Sequence, residues 1–512
     1  MSSYNSEVNE ISAEDAECYV GDITQRELAD KITSHASMDE IRILLACGAN
    51  PTGCVVQGLR PLHYAVHSNN IDCVRMLAVR AKANRGAQFE YSNRPDYEND
   101  DLNAFDDVGY TALHLAAEAG NLPAVNTLLD AGARVCFSRW PESSFPQGYR
   151  SEEPLRLAIR GGHYEVAEAL LRAGADPNAT YFRGSELSQI SPAHSKFFQL
   201  LISYGANVNT IDREGLTPLM KCCRHRNGFD SAMLLLRAGA VANTIASSRQ
   251  DCRTALHYAI LAGNVQLVEA LLDSGARVDM PAGYCKPGPL DVAVLRDSVP
   301  IIKLLLQSGA NPNAVTSYVG APLHLACCSI DLLHSDQTVA LLLAAGADPN
   351  LCPQFDDASV LKAPLVEYFR CRVPPSGSVD QQHVINEEHL PQFSVVHSLI
   401  AAGAYVELVS PFDSPRGLLR VLQGVAGMAD RRLWLLLLDA CERYARAAIE
   451  RLSPPLPLTA RMELHDRAVN PLSLQHAARI VVRRVLPKPI RANTVARLPL
   501  TGVMTQYLLF QQ

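Results

Sequence analysis

The dipeptide Gly-Ala recurs through this chain after Leu-rich stretches, beginning at Gly48, Gly132, Gly174, Gly205, Gly239, Gly275, Gly309, Gly346 and Gly403. From Gly174 to Gly346 the intervals are 31, 34, 36, 34 and 37 residues. A glycine just past the last turn of a helix takes the left-handed conformation that other residues avoid, so each pair marks a helix end. A second motif precedes most of these glycines. It reads T-A-L-H-L-A-A at Thr111–Ala117, T-A-L-H-Y-A-I at Thr254–Ile260, R-P-L-H-Y-A-V at Arg60–Val66, A-P-L-H-L-A-C at Ala321–Cys327 and T-P-L-M-K-C-C at Thr217–Cys223. Weaker copies start at Glu153 and Gly288. Thr is a good N-cap and Pro is favoured at the first helical position, so this motif starts a helix. The period therefore predicts a tandem array of helix-turn-helix copies, each too small to bury its own apolar face.

Two motifs recurring in register at about 33 residues resemble ankyrin repeats. The resemblance covers roughly residues 27–406, with nine or ten copies, and implies an all-α ankyrin-repeat solenoid. Some copies are degraded: the one ending at Gly205 lacks the T-x-L-H start, and Arg80-Ala81 replaces Gly-Ala in the second. The last, starting A-P-L-V-E-Y-F at Ala363, is split by an insertion before Gly403. Inserted loops are expected at Arg85–Asp106, Phe137–Glu153, Ser247–Asp251 and Cys371–Pro391. Insertions in solenoids map to one edge, often the binding face. The second carries Trp140, Phe145 and Tyr149, candidates for substrate contact because aromatics dominate interface hot spots.

Catalysis finds no support in the residues. His63, His114, His257 and His324 occupy one repeat position, so they lie a repeat apart and do not converge on one ion. The resemblance implies that they tie neighbouring repeats by hydrogen bonds. No phosphate loop, dinucleotide fingerprint, nucleophile elbow or H-E-x-x-H is present. His383 and His389, with Glu387 and Glu388, read as a solvated insertion. Cys222 and His225 would be half a zinc site without a second half. The fourteen cysteines show no C-x-x-C pair and read as small buried hydrophobes. No enzyme activity, metal or cofactor is expected.

Charge divides the chain. Its net −7 combines a segment from Arg467 onward with seven basic and no acidic residues and a body of −14. A basic tail suggests nucleic acid only where aromatic platforms or a known module accompany it. Here Tyr507 and Phe510 are its only aromatics, and the basic residues read as the solvated face of an amphipathic helix. No apolar run approaches the roughly 18 residues that span a bilayer. Glu7, Glu10, Glu14, Asp15 and Glu17 precede any basic residue, the reverse of a signal peptide. Neither nucleic acid nor membrane is expected as a partner, and the expected compartment is the cytoplasm, with the nucleus second.

The tail carries the functional signal. Asn470 and Pro471 predict a helix start there, Leu474, Ala478 and Val482 recur at a spacing of four, and Pro487 and Pro489 stop the helix. A second short helix is predicted over Thr494–Arg497, and Leu498-Pro499-Leu500 leads to a third over Val503–Phe510. Three small helices capping the array would account for the helices but not for this residue order.

That order resembles a SOCS box, the adaptor segment of cullin-RING ubiquitin ligase receptors. Ser473, Leu474, Ala478 and Val482 match its first part, which in the family docks on elongin C. Val495, Leu498, Pro499, Leu500, Tyr507 and Leu508 match the second, which selects cullin-5; Thr501 replaces its second proline. The chain thus looks like an ankyrin repeat and SOCS box protein. The organisation expected is an acidic, unstructured tail over 1–26, the array over 27–406, a helical bridge with helices around Leu433–Ile449 over 407–466, and a three-helix SOCS box over 467–512. The resemblance implies a non-catalytic receptor. Its repeats would hold a protein substrate, and its tail would recruit elongin B, elongin C, cullin-5 and a RING-box subunit. The alternative is an ankyrin scaffold that recruits no ligase.

Overall fold

A computed structural model describes residues 13–88, 101–137, 152–181, 184–281, 283–284, 286–316, 320–355, 359–372, 390–409, 414–418, 431–444, 458–469, 473–486, 489–490, 495–498 and 502–510. Trp140, Phe145 and Tyr149 lie outside them, as do Pro499, Leu500 and Thr501. The chain forms two units, each described by itself: one of residues 1–222 with 227–240, the other of 223–226 with 241–512. No helix among the described residues is long and apolar enough to cross a membrane.

In the first unit the copies are helix pairs such as Ala112–Glu118 with Leu122–Asp130, and Pro154–Arg160 with Tyr164–Arg172. The expected glycine stop is present. Gly132 has φ +94°. Its N–H reaches the Leu129 carbonyl at 2.9 Å while Ala133 N–H reaches Leu128, also at 2.9 Å, a Schellman closure. Where Arg80-Ala81 stands instead, no residue takes that turn cheaply, and the helix continues from Ile71 to Gln88. The copy lacking T-x-L-H has only a one-turn first helix, Glu186–Gln189. Residues 13–26, expected to be unstructured, are helical, because Ala13–Thr33 forms one helix whose buried Leu28 and Ile32 anchor it.

The second unit repeats the plan with Ala255–Ala262 and Val265–Asp273, Pro289–Leu295 and Val299–Gln307, Pro322–Cys328 and Ser335–Ala345, and Pro364–Arg372 and Phe393–Ala401. Its core consists of the inward Leu, Val, Ile and Ala of both helices, among them Leu256, Val268, Leu271, Ile302, Leu342 and Leu399. Asparagines after the glycines lace the copies together. Asn313 Nδ2 donates to the Gly346 carbonyl at 2.9 Å and its Oδ1 accepts from Asp348 N–H at 2.7 Å. Asn350 does the same with Gly403 and Tyr405, at 2.8 and 2.7 Å.

The bridge departs from expectation. A helix spans Arg431–Ala440, but Cys441–Tyr444 is a strand, paired in parallel with Val406–Leu408. The helix expected to run to Ile449 is cut because this stretch extends the edge of the last repeat. A second small sheet, Thr180–Tyr181 with Gly184–Ser185, lies in the first unit. Among the described residues the remaining regular elements are helices, apart from isolated bridges such as Val56 with Leu59.

Candidate functional site

The repeat histidines have one geometry throughout. Thr254 N–H donates to His257 Nδ1 at 3.1 Å, and His257 Nε2 lies 3.2 Å from the Pro287 carbonyl of the next copy. A backbone N–H only donates, so Nδ1 is the acceptor and the proton sits on Nε2, which then donates onward. His63, His114 and His324 repeat this with the carbonyls of Tyr110, Glu152 and Leu351 at 3.3, 3.0 and 3.1 Å. Burial pushes His114 down to about 3 and both His257 and His324 to about 4, so all three are neutral at pH 7. They are structural ties, as the family resemblance implies.

In the same position the copy starting at Gly288 carries Asp291. Its Oδ2 accepts the Gly288 N–H at 2.9 Å, yet burial raises the carboxyl to about 6.

The tail is built of short helices. Its first helix is Leu474–Val485, capped by Ser473, whose Oγ accepts from His476 N–H at 3.2 Å. The expected start at Asn470-Pro471 lies outside the described residues. Leu486 ends the helix with ψ 141°, the extended conformation a following proline imposes. The last helix is Gly502–Leu508, and between them 495–496 form a short helical turn. Ile490, Val495, Leu508 and Leu509 make a small core, with Val482, Leu486 and Leu498 packed against it.

The basic residues correct the sequence reading. Arg479 and Arg483 are not a solvated face; they are buried, Arg483 at 4% exposure. At about 100° per residue, Arg483 lies opposite Leu474 on the helix. Its guanidinium donates to the Leu508 carbonyl and, from Nη2, to the Ile400 carbonyl of the last repeat. Both arginines also sit over the Phe510 ring, 4.4 and 4.8 Å from its centroid. Burial lowers Arg483 to about 10, so it stays charged at neutral pH. Around this contact, Arg484 Nε pairs with Glu442 at 3.1 Å, His397 Nε2 lies 2.9 Å from the Phe510 carbonyl, and Ile490 N–H reaches Ala402 at 2.6 Å. The sequence hid this role because an arginine on an amphipathic helix is usually solvated.

With one face seated, the other is left outward. Ala478, Val481 and Val485 are exposed, Val485 at 81%, and follow one stripe at spacings of three and four. Val482 lies on the flank and packs inward, as do Val495 and Leu508, while Leu498 is half-buried. Val503 and Met504 of the last helix are also exposed, at 77% and 55%. Sequence spacing puts Val481 and Val485 beside the face of Leu474, Ala478 and Val482; in the structure Val481 and Val485 are exposed with Ala478, and Val482 packs inward.

A helical-repeat array whose last copy seats a compact adaptor with an unpaired apolar stripe defines the class: a protein-binding array with a terminal docking module. Family models for ankyrin repeats match residues 57–88, 95–181, 190–282 and 289–317, and the SOCS box model matches 470–509. The chain belongs to the ankyrin repeat and SOCS box family. Human "Ankyrin repeat and SOCS box protein 16" is 30% identical over 244 residues, 43% of this chain and 52% of that protein. Human "Rabankyrin-5" is 31% identical over 41% of this chain and 18% of its own length. "E3 ubiquitin-protein ligase KEG" of Arabidopsis thaliana is 23% identical over 62% of this chain and 19% of its own. The chain thus spans between about a fifth and about a half of these relatives.

Proposed function

We propose that this chain is the substrate-recognition subunit of a cullin-RING ubiquitin ligase. Its repeats hold a protein target, and its tail recruits elongin B, elongin C, cullin-5 and a RING-box subunit. The observation that carries the reading is the SOCS box match at 470–509, seated on the array through Arg483 with Ala478, Val481 and Val485 turned outward. Leu474, four residues before Ala478, falls on the same helix face and is the proposed elongin C anchor, with Val482 flanking it. Leu498, Pro499, Leu500 and Tyr507 are the proposed cullin contacts, with Val495 and Leu508 supporting them from the tail core. Trp140, Phe145 and Tyr149 are proposed to meet the target.

The chain itself performs no bond chemistry in this reading. It raises the local concentration of a charged ubiquitin-conjugating enzyme beside target lysines. The cytoplasm and nucleus are the proposed compartments. Co-expression of the full chain with elongin B and elongin C tests the assignment. Wild type should co-purify with both, and Leu474→Ala should weaken capture by about one to two decades, the value of burying one Leu. Equal capture by Leu474→Ala would remove that residue from the contact. No capture by wild type would leave an ankyrin scaffold without a ligase.

A further inference from the structure

Outside the tail, the second unit holds a cluster that no repeat motif requires. Cys328 ends the helix Pro322–Cys328, and Glu367 and Cys371 lie four residues apart, on one face of Pro364–Arg372. These are the first helices of consecutive copies. The two Sγ atoms and a Glu367 carboxylate oxygen all lie within 4.8 Å of one another. Cys328 is half-buried and Cys371 exposed, so the cluster is open to solvent, while Glu367 is 3% exposed.

We propose that Cys328, Glu367 and Cys371 bind a thiophilic divalent cation, Zn2+ in the cell. Two sulfurs and one carboxylate oxygen are a borderline-soft donor set, suited to zinc and poor for Mg2+ or Ca2+, which take oxygen. Three protein ligands leave the fourth tetrahedral position to water. Glu367 is already oriented, because Arg370 Nε donates to its Oε2 at 2.6 Å. Binding releases one proton from each thiol to solvent, giving two thiolates and the carboxylate against the 2+ charge. The cation would clamp two first helices at the end of the array that carries the tail.

The test titrates the full-length, metal-stripped, reduced protein with Co2+. Wild type should develop a thiolate-to-cobalt charge-transfer band that saturates at one equivalent and is displaced by Zn2+. Cys328→Ser with Cys371→Ser should abolish the band, and Glu367→Gln should weaken binding at least the roughly tenfold that an outer-shell change costs. A chelator should lower the melting temperature of zinc-loaded wild type and leave the double variant unmoved. Glu367→Gln carries the test alone if the double variant misfolds, since both thiols remain. No band in wild type, an unchanged band in the double variant, unchanged affinity in Glu367→Gln, or a Cys328–Cys371 disulfide in freshly purified protein would each overturn the site.

Discussion

Arg483 of the tail donates to the carbonyl of Ile400, a residue 83 positions earlier on the last array helix. The bond ties the docking module to the repeat before it through a buried charge, with the Leu508 carbonyl and the Phe510 ring completing the surroundings. Orientation of the exposed stripe depends on this contact.

Arg483→Ala should therefore lose two charge-assisted bonds worth about 1.5–3 kcal/mol each, while the Ile400 carbonyl keeps its Gly403 N–H partner at 2.9 Å. Hydrogen exchange should rise first across residues 474–485 and 502–508, with the helices before Pro364 keeping their protection. Uniform loss of protection along the second unit would refute a local seat.

Charging the outward stripe should act on binding alone. Val481→Asp with Val485→Asp changes exposed positions, so melting should stay within about 0.5 kcal/mol of wild type. Capture of the elongin pair should fall by at least tenfold, because each buried valine contributes about 1.5–3 kcal/mol. Unaltered capture on a surface-binding assay would move the contact to another face.

Acid should loosen the repeats through their histidines. His114, His257 and His324 have folded values near 3 and 4, well below the ordinary 6.5. Below pH 6.5 the unfolded chain binds protons that the folded chain refuses, so stability falls as pH drops from about 6.5 toward 4. Each histidine contributes about 1.4 kcal/mol per pH unit in that window. Melting measured from pH 7 to 5 should show the slope, and His257→Gln should flatten it; an identical slope would exclude His257 as a source.

Asp291 has the opposite sign. Its folded value of about 6 lies above the ordinary 3.8, so its charge costs stability as pH rises from about 4 to about 6. Asp291→Asn should raise stability at pH 7 by about 1–3 kcal/mol, and the gain should vanish below about pH 4. A gain independent of pH in thermal unfolding would point to packing instead.

The repeats were legible because Gly132 and its counterparts mark a backbone conformation, and a backbone requirement leaves a fixed residue at a fixed interval. The tail was legible through the order Leu474, Ala478 and Leu498. What escaped depended on partners distant in sequence. Arg483 reads as solvated until Ile400 is placed over it. Cys328 and Cys371 belong to different copies, with an insertion following. Cys441–Tyr444 looks helical after Leu437 and Leu438, and becomes a strand only because Val406–Leu408 offers an edge.

Asn350 reaches Gly403 across 53 residues with the same two bonds that Asn313 makes to Gly346 across 33. The extra length between Arg372 and Phe393 thus leaves no trace in the spine. Doubling such a segment adds only about 0.6 kcal/mol of closure entropy. Length variation there is close to thermodynamically silent, so descendants of this chain are free to acquire new loop sequences at this point while the tail keeps its seat on the last repeat.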